Sequence, residues 1–262
     1  MKTFDLKSLS KALSTLALVT CGSSAFALET WELSSLCGSS STLNQAISTP
    51  ATATKDCGVL ELTGLSTATG GVNATTSGTN FTAAAVYDWG SAGLGVVSSN
   101  DPLTTGPHAT DNKYGTDAML IKFDSATNLT ALKIGWNGTV DGVGTAYSDS
   151  DLSVLAWTGS GAPPSMTGVG PTGLVAAGWT LIGNYANASN TVDLNTSITS
   201  SYWLVSAYDT TFGGGLTAGD DAFKLLSVVG NKTPEPGSLV LLGAGLLGMA
   251  AVRRRKQAAK SI

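Results

Sequence analysis

Arginine is absent from residues 28 to 233, and histidine occurs once in the whole chain, at His108. That central stretch holds six Lys and sixteen Asp plus Glu, a formal charge of −10 against −4 for all 262 residues. A surface so poor in cations excludes nucleic acid as a partner, since such binding rests on Lys and Arg neutralising phosphates. It equally argues against anionic lipid as a partner of the folded part, and it is compatible with cations such as Ca²⁺. No Gly-x-Ser-x-Gly turn leads from a strand into a helix, so there is no nucleophile elbow. No Asp-x-Asp-x-Asp-Gly loop with a closing Glu occurs, which excludes an EF-hand. Cysteine is scarce, at positions 21, 37 and 57, and its spacing fits no zinc pattern. Long amphipathic helices are missing from the body.

What the chain has in abundance is Gly, Ser, Thr, Ala and Asn, separated by short apolar runs. Period two dominates these runs. Phe81 to Tyr87, Leu94 to Val97, Ala118 to Phe123, Ala131 to Trp136, Leu152 to Trp157, Trp179 to Tyr185, Tyr202 to Tyr208 and Phe223 to Val229 read as strands. Leu28 to Leu36 reads as an edge strand and Val59 to Leu62 as a short one. Residues 63 to 80 and 158 to 178 read as long loops, the first exposed or weakly stranded, the second holding Pro163, Pro164 and Pro171. The expectation is an all-β fold, a single β-sandwich or jelly-roll-like domain over residues 28 to 233. A body of about 206 residues is long enough for one sizeable core.

Both ends carry targeting features. Lys2, Lys7 and Lys11 precede the apolar run Ala12 to Val19, and Ala25-Phe26-Ala27 is a small-x-small site. Residues 1 to 27 therefore read as a signal peptide cleaved after Ala27. Thr20 before Cys21 makes a poor lipoprotein site. At the other end stand Pro234-Glu235-Pro236, an uncharged run from Gly237 to Val252, and Arg253-Arg254-Arg255-Lys256. Sixteen helical residues span about 24 Å, a little short of the ~30 Å hydrocarbon core. The basic cluster would stay on the cytoplasmic side, because Lys and Arg translocate poorly. Residues 257 to 262 would form a short cytoplasmic tail.

This tripartite tail, over residues 234 to 256, resembles a PEP-CTERM sorting signal, the tag that exosortases recognise in many Gram-negative bacteria. The resemblance implies a transient inner-membrane anchor, cleavage near Pro234-Glu235-Pro236 and delivery to the cell surface or exopolysaccharide matrix. Its implied partners are signal peptidase, the export machinery, an exosortase and exopolysaccharide. Trp89 to Val97, Gly106 to Asn112, Asp117 to Phe123, Ser148 to Trp157, Tyr202 to Val205 and Gly219 to Leu225 resemble the body shared by a group of exosortase-dependent surface proteins. That likeness implies surface delivery and no assigned catalysis.

Within the body, Cys37 and Cys57 are left to pair in an oxidising compartment, worth about 3 kcal/mol for a loop of this length. Asp149, Asp151, Asp220 and Asp221 are candidate Ca²⁺ ligands, since Ca²⁺ takes loop carboxylates and carbonyls. Asp111 and Asp117 are also near neighbours, with Asp141 in a Gly-rich turn, and turn capping is the plainer reading of all these acids. His108, with Asp111 and Asp117, allows a Ser/His/Asp triad to be drawn for a secreted hydrolase. A lone His in a Pro/Asp/Asn loop is more simply a turn residue, and no catalytic residue is assigned. Trp136, Trp157, Trp179 and Trp203 read as core, whereas Trp89 and Tyr147 read as exposed and available for stacking on glycan. Asn-x-Ser/Thr triplets recur, as chance provides in so Thr-rich a chain. The reading is a non-enzymatic surface or matrix protein, with a glycan- or Ca²⁺-binding module as the alternative.

Overall fold

The computed structural model describes residues 27–38, 45–52, 54–70, 76–101, 108–138, 149–233, 243–250 and 253. Its strands are β1 (Glu29–Glu32), β2 (Gln45–Ala46), β3 (Thr54–Asp56), β4 (Leu60–Thr69), β5 (Thr76–Asp88), β6 (Leu94–Val97) and β7 (Thr110–Asp111). They continue with β8 (Asp117–Asn137), β9 (Leu152–Trp157), β10 (Trp179–Tyr185), β11 (Asn190–Asp193), β12 (Ser200–Ala207) and β13 (Ala222–Lys232). All named strands pair antiparallel. Pairing runs β1-β13-β6-β5-β4-β8-β12-β9-β10, and β13 also pairs with β8. That extra pairing closes β13, β6, β5, β4 and β8 into a barrel-like circuit. The fold is all-β, as the period-two runs require.

β8 joins the two halves of the molecule. Its first part pairs with β4 and β12, and its second part with β13 and β11. Met119, Ile121, Phe123 and Leu129 point into the main core at odd positions, then Leu132 and Ile134 at even ones. A bulge explains the change of phase. Opposite β13, Val229 faces Ala131 and Gly230 faces Leu129, so Thr130 is left over. One extra residue reverses the facing of all that follow. Gly230 is required there, because a Cβ would stand 2.5 Å from the Asn128 carbonyl oxygen. Into the same core come Trp31, Leu33, Leu60, Leu62, Val86, Leu94, Trp203, Leu225 and Val228. Trp31 and Phe123 meet edge to face, their centroids 5.0 Å apart.

A second apolar cluster covers the other face of β4, β5, β8, β12, β9 and β10. It contains Leu65, Phe81, Trp157, Trp179, Leu174 and Leu204. β9 is buried along its whole length for this reason. The cover is the Pro-rich segment between β9 and β10, which hydrogen-bonds β5 through Phe81 N to Val169 O (3.0 Å) and Gly168 N to Phe81 O (2.9 Å). Contrary to expectation this segment is not all loop, since Pro171–Ala177 is a helix. Gly170 precedes it, Pro171 opens it, and Gly178 closes it in the left-handed region, its N–H donating to the Leu174 and Val175 carbonyls.

One further expectation is settled and one corrected. Of the two readings of residues 63 to 80, exposed loop or strand, the described residues take strand: β4 runs to Thr69, β5 starts at Thr76, and Ser66, Thr67 and Ala68 are buried. Their polar groups are satisfied locally, Thr82 Oγ1 donating to Ser66 O at 3.0 Å and Thr116 N to Thr67 Oγ1 at 2.7 Å. Also, 118–123 and 131–136 are parts of one strand rather than two. Leu28 to Leu36 divides into β1, at the sheet edge beside β13, and a short helix, Leu33–Cys37. Cys37 and Cys57 form the expected disulfide, their Cα atoms 4.8 Å apart, tying this helix to the turn before β4.

Candidate functional site

The last strand carries the chain straight to its tail. Gly230, Asn231 and Lys232 are paired with Leu129, Asn128 and Thr127 of β8. Lys232 Nζ lies 3.0 Å from Asp124 Oδ1, and Thr233 N donates to Ala126 O at 2.8 Å. The domain thus holds the chain up to the residue before Pro234. Pro234, Glu235 and Pro236 lie outside the described residues, as do residues 1 to 26, Ala25 among them, and Arg254, Arg255 and Lys256. Residues 243–250 are helical and exposed, with Leu246, Leu247 and Met249 at 52%, 74% and 65%. Apolar side chains so exposed suit a non-aqueous or partner environment. No helix among the described residues is long and apolar enough to cross a membrane.

Of the four acids singled out for Ca²⁺, the fold gathers three. One oxygen from each of Asp149, Asp151 and Asp221 lies within 4.8 Å of the others. Asp220 is not in this trio, although its charge, with that of Asp149, reaches Asp151. A short bridge sets Asp149 beside Asp221, and the Asp151 N–H donates to Asp221 Oδ1 at 2.8 Å. Asn112 completes the arrangement. Its amide nitrogen bonds Asp221 Oδ2 and Tyr208 O, and its Oδ1 accepts from Gly219 N and Asp221 N, both at 3.0 Å. Burial and the hydrogen-bonded Asp149 carboxyl push Asp221 up to about 9. At neutral pH Asp221 therefore keeps its proton. Burial also moves Asp151 upward, against the pull of the Asn187 N–H on its Oδ1 (2.7 Å). Asn112 is absent from the candidate ligands of the sequence, where it stands beside Asp111 at the end of the stretch Gly106 to Asn112.

A second group gathers Asp101, Asp111 and Asp117, again with one oxygen of each within 4.8 Å. Asp101 follows β6 and is held by Ser98, whose N and Oγ donate to its Oδ2 at 2.8 and 3.2 Å. Asp111 is in β7, and Asp117 opens β8 opposite Ser66 of β4. Asp111 and Asp117 were legible as neighbours. Asp101 was not, although Ser98-x-x-Asp101 is a turn signal.

His108 is 2% exposed and packs against the rings of Tyr87 and Trp89, at 4.9 and 5.9 Å between centroids. Its φ of 43° sets the close approach to β6, where Gly95 faces the His108 carbonyl. Trp89 is half-buried rather than exposed. Lys224 Nζ sits 4.2 Å from the Trp89 ring centroid and 4.3 Å from that of Trp136. Trp157, Trp179 and Trp203 are buried, as expected, which removes them from any sugar-stacking face. Tyr147 and Asp141 lie outside the described residues. A half-open groove of about 350 Å³ runs under Pro163, Pro164 and Met166, floored by Leu65, Leu120 and Tyr202.

Residues 232–256 match the PEP-CTERM protein-sorting motif. The match begins at Lys232, the last residue of β13, and ends at Lys256, the last of the basic cluster. A search of curated proteins finds none that matches the chain. The motif marks the chain for exosortase-dependent sorting toward the cell surface.

Proposed function

We propose that the chain is exported by its N-terminal leader, held at the inner membrane by residues 237–252, and cleaved by an exosortase near Pro234-Glu235-Pro236. The released acidic β-domain then serves at the cell surface or in the exopolysaccharide matrix as a structural or interaction protein without catalysis. The observation that carries this reading is the junction between fold and motif. The matched segment starts where β13 ends, and Thr233 is still hydrogen-bonded to the domain, its N–H to Ala126 O. Cleavage beyond Thr233 leaves every strand pair of the described residues in place, so these strands need no refolding on release. The short connection also holds the uncut domain against the membrane surface. Supporting a non-catalytic role, His108 is enclosed by aromatic rings.

Replacing Pro234, Glu235 and Pro236 together by alanine tests the reading in cells that contain an exosortase. Membrane-bound precursor should accumulate. Unchanged release of a domain with the same C-terminus would sink the sorting assignment.

A second reading makes the domain a cation-binding module of the matrix, with Ca²⁺ in place of the proton on Asp221. Convergence of Asp149, Asp151 and Asp221 favours it. A Ca²⁺-dependent rise in melting temperature that Asp149→Asn removes would support it, and no effect of Asp149→Asn would refute it.

A further inference from the structure

We propose that Asp101, Asp111 and Asp117 form a Ca²⁺ site, separate from the group at Asp221 and independent of the sorting reading. Two observations meet there. The first is the convergence of three carboxylates from three segments, the turn after β6, β7 and the start of β8. The second is an orphaned atom. Asp117 is 1% exposed, and its Oδ1 accepts no hydrogen bond among the described residues. A buried carboxylate oxygen with no donor is costly and persists where a proton or a cation answers it. Burial and the charges of Asp111 and Asp101 all hold Asp117 well above the ordinary range, against hydrogen bonds from Ser66 and the Asp111 backbone. A cation among the three would reverse the effect of those two charges.

The donor set selects the ion. All three side chains offer oxygen alone, which suits hard divalent cations rather than zinc or copper. The oxygens fall within 4.8 Å of one another, and the ligands of one Ca²⁺ at its usual bond lengths stand no more than roughly 5.2 Å apart. Mg²⁺ sheds its water reluctantly and demands stricter geometry, so Ca²⁺ fits better. Asp101 is the least buried of the three residues. Bound there, Ca²⁺ would fasten the β6 turn and β7 to β8.

The test uses the full chain, purified and stripped with chelator, then dialysed against Ca²⁺ or Mg²⁺. Bound metal is counted by plasma mass spectrometry, and melting is followed in parallel. Ca²⁺ at a hundredfold excess over Kd should raise the melting temperature by about 6 °C, as expected for a domain of this size. Asp117→Asn should raise the melting temperature in chelator, by relieving the crowded carboxylates, and should abolish the Ca²⁺ response assigned to this site. Asp149→Asn should leave that response in place. Asp101→Asn, at the more exposed position, should give the same loss of binding and serves should Asp117→Asn fail to fold. The proposal is overturned by wild-type protein that retains no Ca²⁺ on dialysis. It is equally overturned by Ca²⁺ binding that survives Asp117→Asn or Asp101→Asn intact, or that Asp149→Asn alone removes.

Discussion

Breaking the Cys37–Cys57 bridge is a quantitative perturbation of the fold. The two residues are 20 apart in sequence. In the chain-entropy account, a loop of that size stabilises the folded state by about 3 kcal/mol. The domain of about 206 residues has an unfolding entropy near 0.4 kcal/mol/K at its midpoint. The quotient is a fall of about 7 °C in melting temperature on reduction. Cys37 is 1% exposed and sits in the main core beside Trp31 and Leu33. Cys37→Ala with Cys57→Ala should therefore lose about 1 kcal/mol more than reduction alone, from apolar burial removed at position 37. Thermal unfolding of residues 28–233 by circular dichroism, oxidised, reduced and doubly substituted, measures all three. Coincident melts of the oxidised and reduced protein would refute the reasoning, because the bridge would then constrain nothing that the unfolded chain explores.

Three other outcomes follow from single contacts. Gly95→Ala places a Cβ 1.9 Å from the His108 carbonyl oxygen, and should destabilise the domain by about 3 kcal/mol in urea titration. Burial pushes Lys224 down to about 8; between that value and the ordinary 10.5 the unfolded chain binds the proton and the folded one does not, so stability should rise with pH across this window. After allowing for the two indole rings that favour the charged amine, the gain is about 2 kcal/mol, and Lys224→Met should flatten the profile. Lys232→Ala removes the ion pair with Asp124. Since Asp124 is half exposed, the domain should lose less than about 1 kcal/mol, while proteolysis near Thr233 should quicken as the end of β13 frays.

Local pattern decided much of this fold in advance. β6, β9 and β10 occupy the same residues as their apolar runs, because each is short, bounded by turns and closed by direct neighbours. β8 was read as two strands since Asp124 to Asn128 is polar. Those residues stay in the strand because Asn128 donates to the Thr196 and Ile198 carbonyls and Asp124 is paired with Lys232, partners from distant segments. Likewise Ser66 and Thr67 look like loop residues until Thr82 of β5 and Thr116, just before β8, bond their polar groups. The helix from Pro171 was legible in principle, as Gly170-Pro171 and Gly178 form its caps. Among the candidate ligands, Asp149 and Asp151 announce themselves by spacing. Their meeting with Asp221, like that of Asp101 with Asp117, depends on strand pairing across the sheet, which side-chain alternation alone does not specify. The tail was legible throughout, because a motif read by an enzyme as linear sequence needs no fold to complete it.

The intact mass of the protein recovered from the cell exterior tests the central claim most directly. With an active exosortase, the account predicts a chain that starts near Leu28, ends close to Pro234-Glu235-Pro236 and lacks the basic cluster. Deleting the exosortase should shift the whole population to membrane-bound chains that keep Arg253 to Lys256. An exterior protein that retains the basic cluster, or one whose C-terminus is the same without the exosortase, would contradict it.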